Sequence, residues 1–166
     1  MQQKVFQLLV DNTTGVLSRV SGLFSRRGYN IESITAGVTA DPRFTRITIV
    51  ASGDDEVLEQ IEKQVGKLVD VRSIKELKPD ESVYRELALI KVKADAIERE
   101  HLMTLAGIFK AKVSDICDES VMFELTGNKS KIDAFLELLT NYEILELART
   151  GLVGLVRGAK NVVFIE

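Results

Sequence analysis

Apolar positions fall with period two over residues 4–10, KVFQLLV: Phe6, Leu8 and Val10 face one way, Val5 and Leu9 the other. This predicts a strand that is apolar on both faces. Helical spacing takes over at once, with Val16, Leu17, Val20, Leu23 and Phe24 on one stripe. Arg26 and Arg27 place cations in the last turn, and Gly28 marks the stop. Residues 29–38 and 44–52 read as two strands turned by TADPR. Gly53-Asp54-Asp55 opens a second helix, with Asp54 or Asp55 as N-cap, carrying Val57, Leu58, Ile61, Val65 and Leu68. A fourth strand is expected over Val69–Ile74.

After the charged stretch KELKPDESV, residues 75–83, the pattern returns. Strands are expected at 84–94, 112–117, 120–126 and 143–148, and helices at 97–110 and 129–140. The repeated β-α-β-β-α-β order implies an α+β protein of two ferredoxin-like βαββαβ domains, each an antiparallel sheet with helices on one face. The divisions follow: 1–76, a linker at 77–83, and 84–166. Short echoes support the repeat. SGLFSRRGYNIES (21–33) aligns with AGIFKAKVSDICD (106–118), and SGDDEVL resembles TGNKSKI. The tail RTGLVGLVRGAKNVVFIE alternates apolar residues with three glycines, and its structure is open.

The halves differ at one junction. Seven residues before Gly22 stands Gly15, but seven before Gly107 stands Glu100, so DNTTG (11–15) has no counterpart. The first N–H groups of a helix lack intrahelical partners, and the dipole adds positive charge there, which suits a carboxylate or phosphate. Gly15 lets a ligand approach the backbone. Asn12 carries a donor and an acceptor, and Asp11 is a candidate to attract an ammonium group. Together these form a plausible receptor for a free amino acid. The alternative is that Thr13 or Thr14 simply caps the helix and Gly15 serves the turn.

In a ferredoxin-like sheet of strand order 4-1-3-2, strand two is an edge and invites pairing. Two copies joined antiparallel there would form one eight-stranded sheet. Asn30 and Ile31 of one copy would then approach Asn12–Gly15 of the other. Asn30 is otherwise a poor residue for a strand.

Composition narrows the function. The 166 residues are 45% apolar and 28% charged with net charge −3, so no bulk positive field points to nucleic acid. Aromatic residues for base stacking are few, at 6%. The single cysteine, Cys117, excludes an intrachain disulfide and a multi-cysteine metal site, and its apolar neighbours suggest burial. The single histidine, His101, reads as a surface or half-buried helix residue. No nucleophile–base pairing, P-loop or dinucleotide fingerprint appears. No apolar run suits a membrane span, and MQQKVFQLLV lacks a targeting pattern, so a cytoplasmic protein is expected.

DNTTGVLSRVSGLFSRRGYNIESITAG closely resembles the ACT domain that opens the regulatory small subunit of acetohydroxyacid (acetolactate) synthase. DPRFTRITIV, EQIEKQVGKLVDV, VYRELALIKV and ARTGLVGLVRG match the same family, from residue 4 to about 158. The resemblance implies a non-catalytic regulatory subunit. It would bind the catalytic large subunit, raise its activity and confer feedback inhibition by a branched-chain amino acid, most often valine. Thiamine diphosphate, Mg²⁺ and FAD would belong to the large subunit, with no cofactor or metal in this chain. Carried over by residue, the effector site comprises Asn12, Gly15 and Val16, with Asn30 and Ile31 from a second copy of a homodimer built through the ACT domain. Asp11, Thr14, Leu17, Ser18, Ile34 and Ala36 lie near it, and Leu17, Ile31 and Ile34 are candidates for the side-chain wall. The competing reading is a free-standing ACT-domain sensor that regulates another enzyme or transcription. The second half and ARTGLVGLVRG argue against it.

Overall fold

A computed structural model describes residues 1–159. Its elements run β1 (Gln2–Asp11), α1 (Val16–Arg27), β2 (Asn30–Val38), β3 (Phe44–Gly53), α2 (Asp55–Val65), β4 (Val71–Leu77), β5 (Ser82–Lys93), α3 (Ala96–Phe109), β6 (Lys112–Ile116), β7 (Ser120–Gly127), α4 (Lys129–Leu138), β8 (Ile144–Arg149) and β9 (Val153–Val156). The first sheet has order β2-β3-β1-β4, the expected arrangement, and the second repeats it as β6-β7-β5-β8, with β9 also paired to β5. The chain forms two units: Met1–Tyr84 with the described residues from Leu152, and Arg85–Gly151.

In the first unit, β1 lies between β3 and β4 and is antiparallel to both. Phe6, Leu8 and Val10 meet Val16, Val20, Leu23 and Phe24 of α1 and Leu58, Ile61 and Val65 of α2 in one core. Leu17 is the exception to the predicted stripe. It sits at the stripe's margin and is 49% exposed. Asp54, in extended conformation, caps α2 by accepting from Val57 N at 2.9 Å.

The other face of this sheet is covered by the chain's own β9. Val5, Val50 and Leu77 pack with Leu152, and Gln7, buried to 3%, donates Nε2 to Gly154 O at 2.8 Å. A Cβ on Gly154 would lie 2.9 Å from Tyr84 Cδ1 and 3.0 Å from Leu77 Cδ1, so the close approach requires glycine. This explains β1's two apolar faces and one of the tail's glycines. NVVFIE lies outside the described residues.

Several boundaries differ from expectation. Lys75–Leu77 extend β4 because β1 offers Val5–Gln7 as partners, and Ser82 already belongs to β5. Only 78–81 remain between these strands. The residues from Leu152 group with the first unit through their apolar side chains, whereas the sequence reading ran the second domain through 166.

The second unit packs Ala88, Ile90 and Val92 of β5 and Val121, Phe123 and Leu125 of β7 against Leu102, Ala106, Ile132 and Phe135. Glu86 is 5% exposed, and Arg149 neutralises it through Nε and Nη2 at 2.7 and 3.0 Å. Cys117, expected to be buried, is exposed, because it directly follows β6, an edge strand exposed along its length. The Ser120 hydroxyl, 3.2 Å from Cys117 Sγ, is the main cause of a lowered thiol pKa. His101 is exposed on α3. Among the described residues, no helix is long and apolar enough to cross a membrane.

Candidate functional site

The turn after β1 is anchored by its backbone and by two ion pairs. Asp11 N donates to Asp70 O at 2.9 Å, and Asn12 N to Arg43 O at 2.7 Å. Asn12 Nδ2 donates to Pro42 O at 2.9 Å, and its Oδ1 accepts from Thr45 Oγ1 at 3.2 Å. The Asn12 amide therefore staples the turn to the β2–β3 loop, leaving one amide hydrogen and one lone pair.

Asp11 is not available for an ammonium group. Arg72, on the strand beside it, takes both carboxylate oxygens at 2.7 Å. Arg19 forms a similar clamp on Asp70, at 2.6 Å from Nε and 3.0 Å from Nη2. The hydrogen bond from Arg19 holds the Asp70 carboxyl below its usual pKa, against the opposing effect of desolvation. Two cations and two carboxylates thus cancel beneath the turn.

Neither threonine caps α1. Gly15 is the N-cap, at φ +84°, with no side-chain hydrogen bond to the helix and no acidic residue in the first turn. Val16 N reaches Thr13 O only at 3.4 Å. The helix dipole is therefore unopposed at this end. A Cβ on Gly15 would lie 2.9 Å from Arg19 Nη1, so glycine answers both the positive φ and the guanidinium packed over it.

Val16 is buried in the core, while Thr14, Leu17 and Ser18 are exposed around the helix start. Ile31 and Ile34 are half-buried against the helix-side core, and Ala36 is exposed on the edge strand. Asn30 pairs with Ser52 and Val38 with Thr45, while Asp11 pairs with Phe44. Asn30 and Ile31 therefore stand at the far end of the sheet from the turn, about 26 Å away along eight strand residues. One chain brings together Asp11, Asn12 and residues 14–18, but not Asn30 and Ile31. Asn30 Nδ2 donates to Ser52 Oγ at 2.8 Å and to Glu32 Oε1 at 3.0 Å, and its Oδ1 accepts nothing among the described residues.

Sequence reasoning missed Arg19, Asp70, Arg72 and Val38. Arg19 was within reach, since a residue four after Gly15 returns to the same helix face. Val38 is 60% exposed at the end of β2 nearest the turn.

The profile described as the AHAS small subunit-like ACT domain matches residues 6–73, and that of the small subunit of acetolactate synthase matches residues 85–158. The chain belongs to the acetolactate synthase small-subunit family. It is 47% identical over 157 residues to a probable acetolactate synthase small subunit of Methanothermobacter thermautotrophicus, covering 94% of each chain. It is 43% identical over 161 residues to the acetolactate synthase small subunit of Haemophilus influenzae, covering 96% of this chain and 99% of that one. The crystal structure of the acetolactate synthase small subunit from Thermotoga maritima superposes with a TM-score of 0.88 at 40% identity, covering 96% of this chain and all of the other. Small-subunit identity and the ACT domain make the chain a regulatory rather than a catalytic component of branched-chain amino-acid biosynthesis.

Proposed function

We propose that this chain activates the catalytic large subunit of acetolactate synthase in the cytoplasm and makes it answer to a branched-chain amino acid, with valine the first choice. The observation that carries the effector reading is the start of α1: a helix end without a side-chain cap or first-turn acid, opened by a left-handed glycine. The effector carboxylate takes the N–H groups at Gly15 and Val16, the latter held only by a 3.4 Å bond to Thr13 O. With Asp11 engaged by Arg72, the ammonium group goes to the spare Asn12 Oδ1 lone pair and to Asn30 Oδ1.

Asn30 must come from a second copy, since its own lies at the far end of the sheet. β2 ends the strand order and so offers its free edge for antiparallel pairing. That pairing joins two sheets into eight strands and sets Asn30 and Ile31 beside the turn. Leu17, Ile34 and the second copy's Ile31 then form the aliphatic wall. A ligand shared by two chains biases how they pack, which is the basis of the control. Thiamine diphosphate, Mg²⁺ and FAD sit in the large subunit, and this chain contributes no cofactor.

Calorimetric titration of the purified chain with valine, leucine, isoleucine and phenylalanine tests the reading. Saturable binding of an aliphatic ligand, with phenylalanine silent, is expected. One methylene discriminates by only about 1–3 kcal/mol, so the three aliphatic ligands overlap. Absence of binding both to the chain and to its complex with the large subunit overturns it.

A further inference from the structure

Arg19 stands one turn into α1, where its backbone N–H donates to Gly15 O at 3.0 Å. A helical side chain leans back toward the N-terminus, so the guanidinium comes to the helix opening. Nε and Nη2 are spent on the two oxygens of Asp70, at 2.6 and 3.0 Å, and Nη2 also approaches Thr14 O at 3.4 Å. Nη1 donates to no described residue. It is nevertheless the first atom that a side chain at position 15 would meet, 2.9 Å from a Cβ there. The Asp70 side chain is only 11% exposed and that of Arg19 47%, so the pair is buried at its carboxylate and open at its guanidinium. Clamping Asp70 accounts for one edge of the guanidinium and leaves the other aimed at the turn with its donors unspent.

We propose that Arg19 is a carboxylate-binding residue of the effector site: Nη1 donates to the carboxylate of a free amino acid held at Gly15 and Val16, and Asp70 positions the guanidinium that does so. This role rests on the effector reading of the α1 start and names the side chain that completes it. Backbone N–H groups at a helix end accept any anion, whereas a guanidinium adds a planar, directed bond that matches a carboxylate. The clamp on Asp70 orders the long Arg19 side chain before a ligand arrives, so little of that ordering is left to be done on binding.

The charges also select the ligand class. Arg19 is balanced by Asp70, and Arg72 by Asp11. Nη1 therefore contributes a directed hydrogen bond more than a net positive charge, which suits a zwitterion better than a doubly charged phosphate. Gly15 and Arg19 act together: the glycine leaves the space in which Nη1 and the ligand carboxylate meet.

The test uses the full chain, alone and in complex with the large subunit, with valine and valinamide as probes. Valinamide keeps the ammonium group and the side chain but replaces the carboxylate with an uncharged amide. Affinities are read from the ligand-dependent rise in Tm, which reaches weak binders. Arg19→Gln is expected to weaken valine at least tenfold and valinamide by about threefold at most, so that the preference for acid over amide narrows. Arg19→Lys keeps a cation for Asp70 but not the planar fork, and is expected to behave like Arg19→Gln. It decides alone if Arg19→Gln fails to fold. A guanidinium that only ties α1 to Asp70 would lower both ligands together or neither. A native preference for acid over amide in the folded variants therefore overturns the role of Arg19 and leaves the effector site standing. Absence of valine binding both to the native chain and to its complex overturns the two together.

Discussion

At the start of α3, Asp95 accepts from Glu98 N at 2.8 Å while Glu98 Oε2 accepts from Asp95 N at 2.9 Å. At the start of α1, Gly15 stands at φ +84° and no side chain caps the helix end. These are the first helices of two halves with the same topology. The second half closes its helix with its own residues, a capping box of the kind that stabilises by about 1 kcal/mol. The first half forgoes that and keeps donors free. A helix end left open beside an edge strand is a place for something supplied from outside. The same contrast holds for the sheet faces: the first is closed by β9, and among the described residues of the second unit nothing covers the second.

Filling the open end from within is expected to have the largest effect. Gly15→Asp puts a carboxylate where the proposed site takes the effector carboxylate, and its Cβ must displace Arg19 Nη1, now 2.9 Å from that position. Asp tolerates the left-handed region better than most residues. The variant is expected to lose saturable effector binding by calorimetry and inhibition in a reconstituted assay, with activation of the large subunit retained. Normal inhibition in this variant would refute the site.

The second effect tests whether the two ends of the sheet meet only between copies. Asn30→Ala removes the proposed acceptor Oδ1 and is expected to weaken binding at least tenfold, a loss typical of a hydrogen bond to a charged group. Gly15→Asp and Asn30→Ala homodimers then both fail. Mixed dimers hold one doubly damaged site and one intact site, so a mixture is expected to regain binding at near-native affinity with reduced stoichiometry. No recovery on mixing, with subunit exchange confirmed by mass, places Asn30 outside the site.

Much of this architecture was legible because it is local. Each helix and strand carries its own period, Asp54 announces a cap, and the edge position of β2 follows from strand order alone. What stayed hidden depends on distant residues. Asp11 looked free until Arg72, 61 residues on, was placed beside it by β4. Arg19 and Asp70 are 51 residues apart. Lys75–Leu77 looked like linker because their charges hid a strand whose partner is β1. Leu17 sits on an apolar stripe by spacing yet is half exposed, since sequence spacing cannot say where a core ends. Gly154 lay in a tail whose structure the sequence left open, but a strand packed on Tyr84 and Leu77 leaves no space for a Cβ.

Breaking the closed helix end is expected to do less, and only to stability. Asp95→Ala removes the cap of α3 and is expected to cost about 1 kcal/mol, read as a fall of several degrees in Tm. Effector affinity should not move. A loss of effector affinity in Asp95→Ala comparable to that in Asn30→Ala would mean that the two helix starts are coupled, and the contrast between them would no longer separate stability from regulation.

The smallest effect concerns what holds the open end in place. Arg19 ties α1 to Asp70 just before β4, so the turn is fixed from outside the helix. Asp70 has a lowered folded-state pKa, chiefly through the hydrogen bond from Arg19. Its stabilising contribution is therefore complete above the unfolded carboxylate value of about 4 and is lost as pH falls through the lower folded value. Asp70→Asn keeps the shape and removes the charge. Its Tm is expected to lie below that of the native chain at neutral pH, by less than for Asp95→Ala, with the gap closing as pH falls below about 4. A gap that stays constant down to acid pH would show that Asp70 acts through packing and not through its charge. In that case the α1 start would be held much as α3 is, by local fit, and its openness would rest on Gly15 alone.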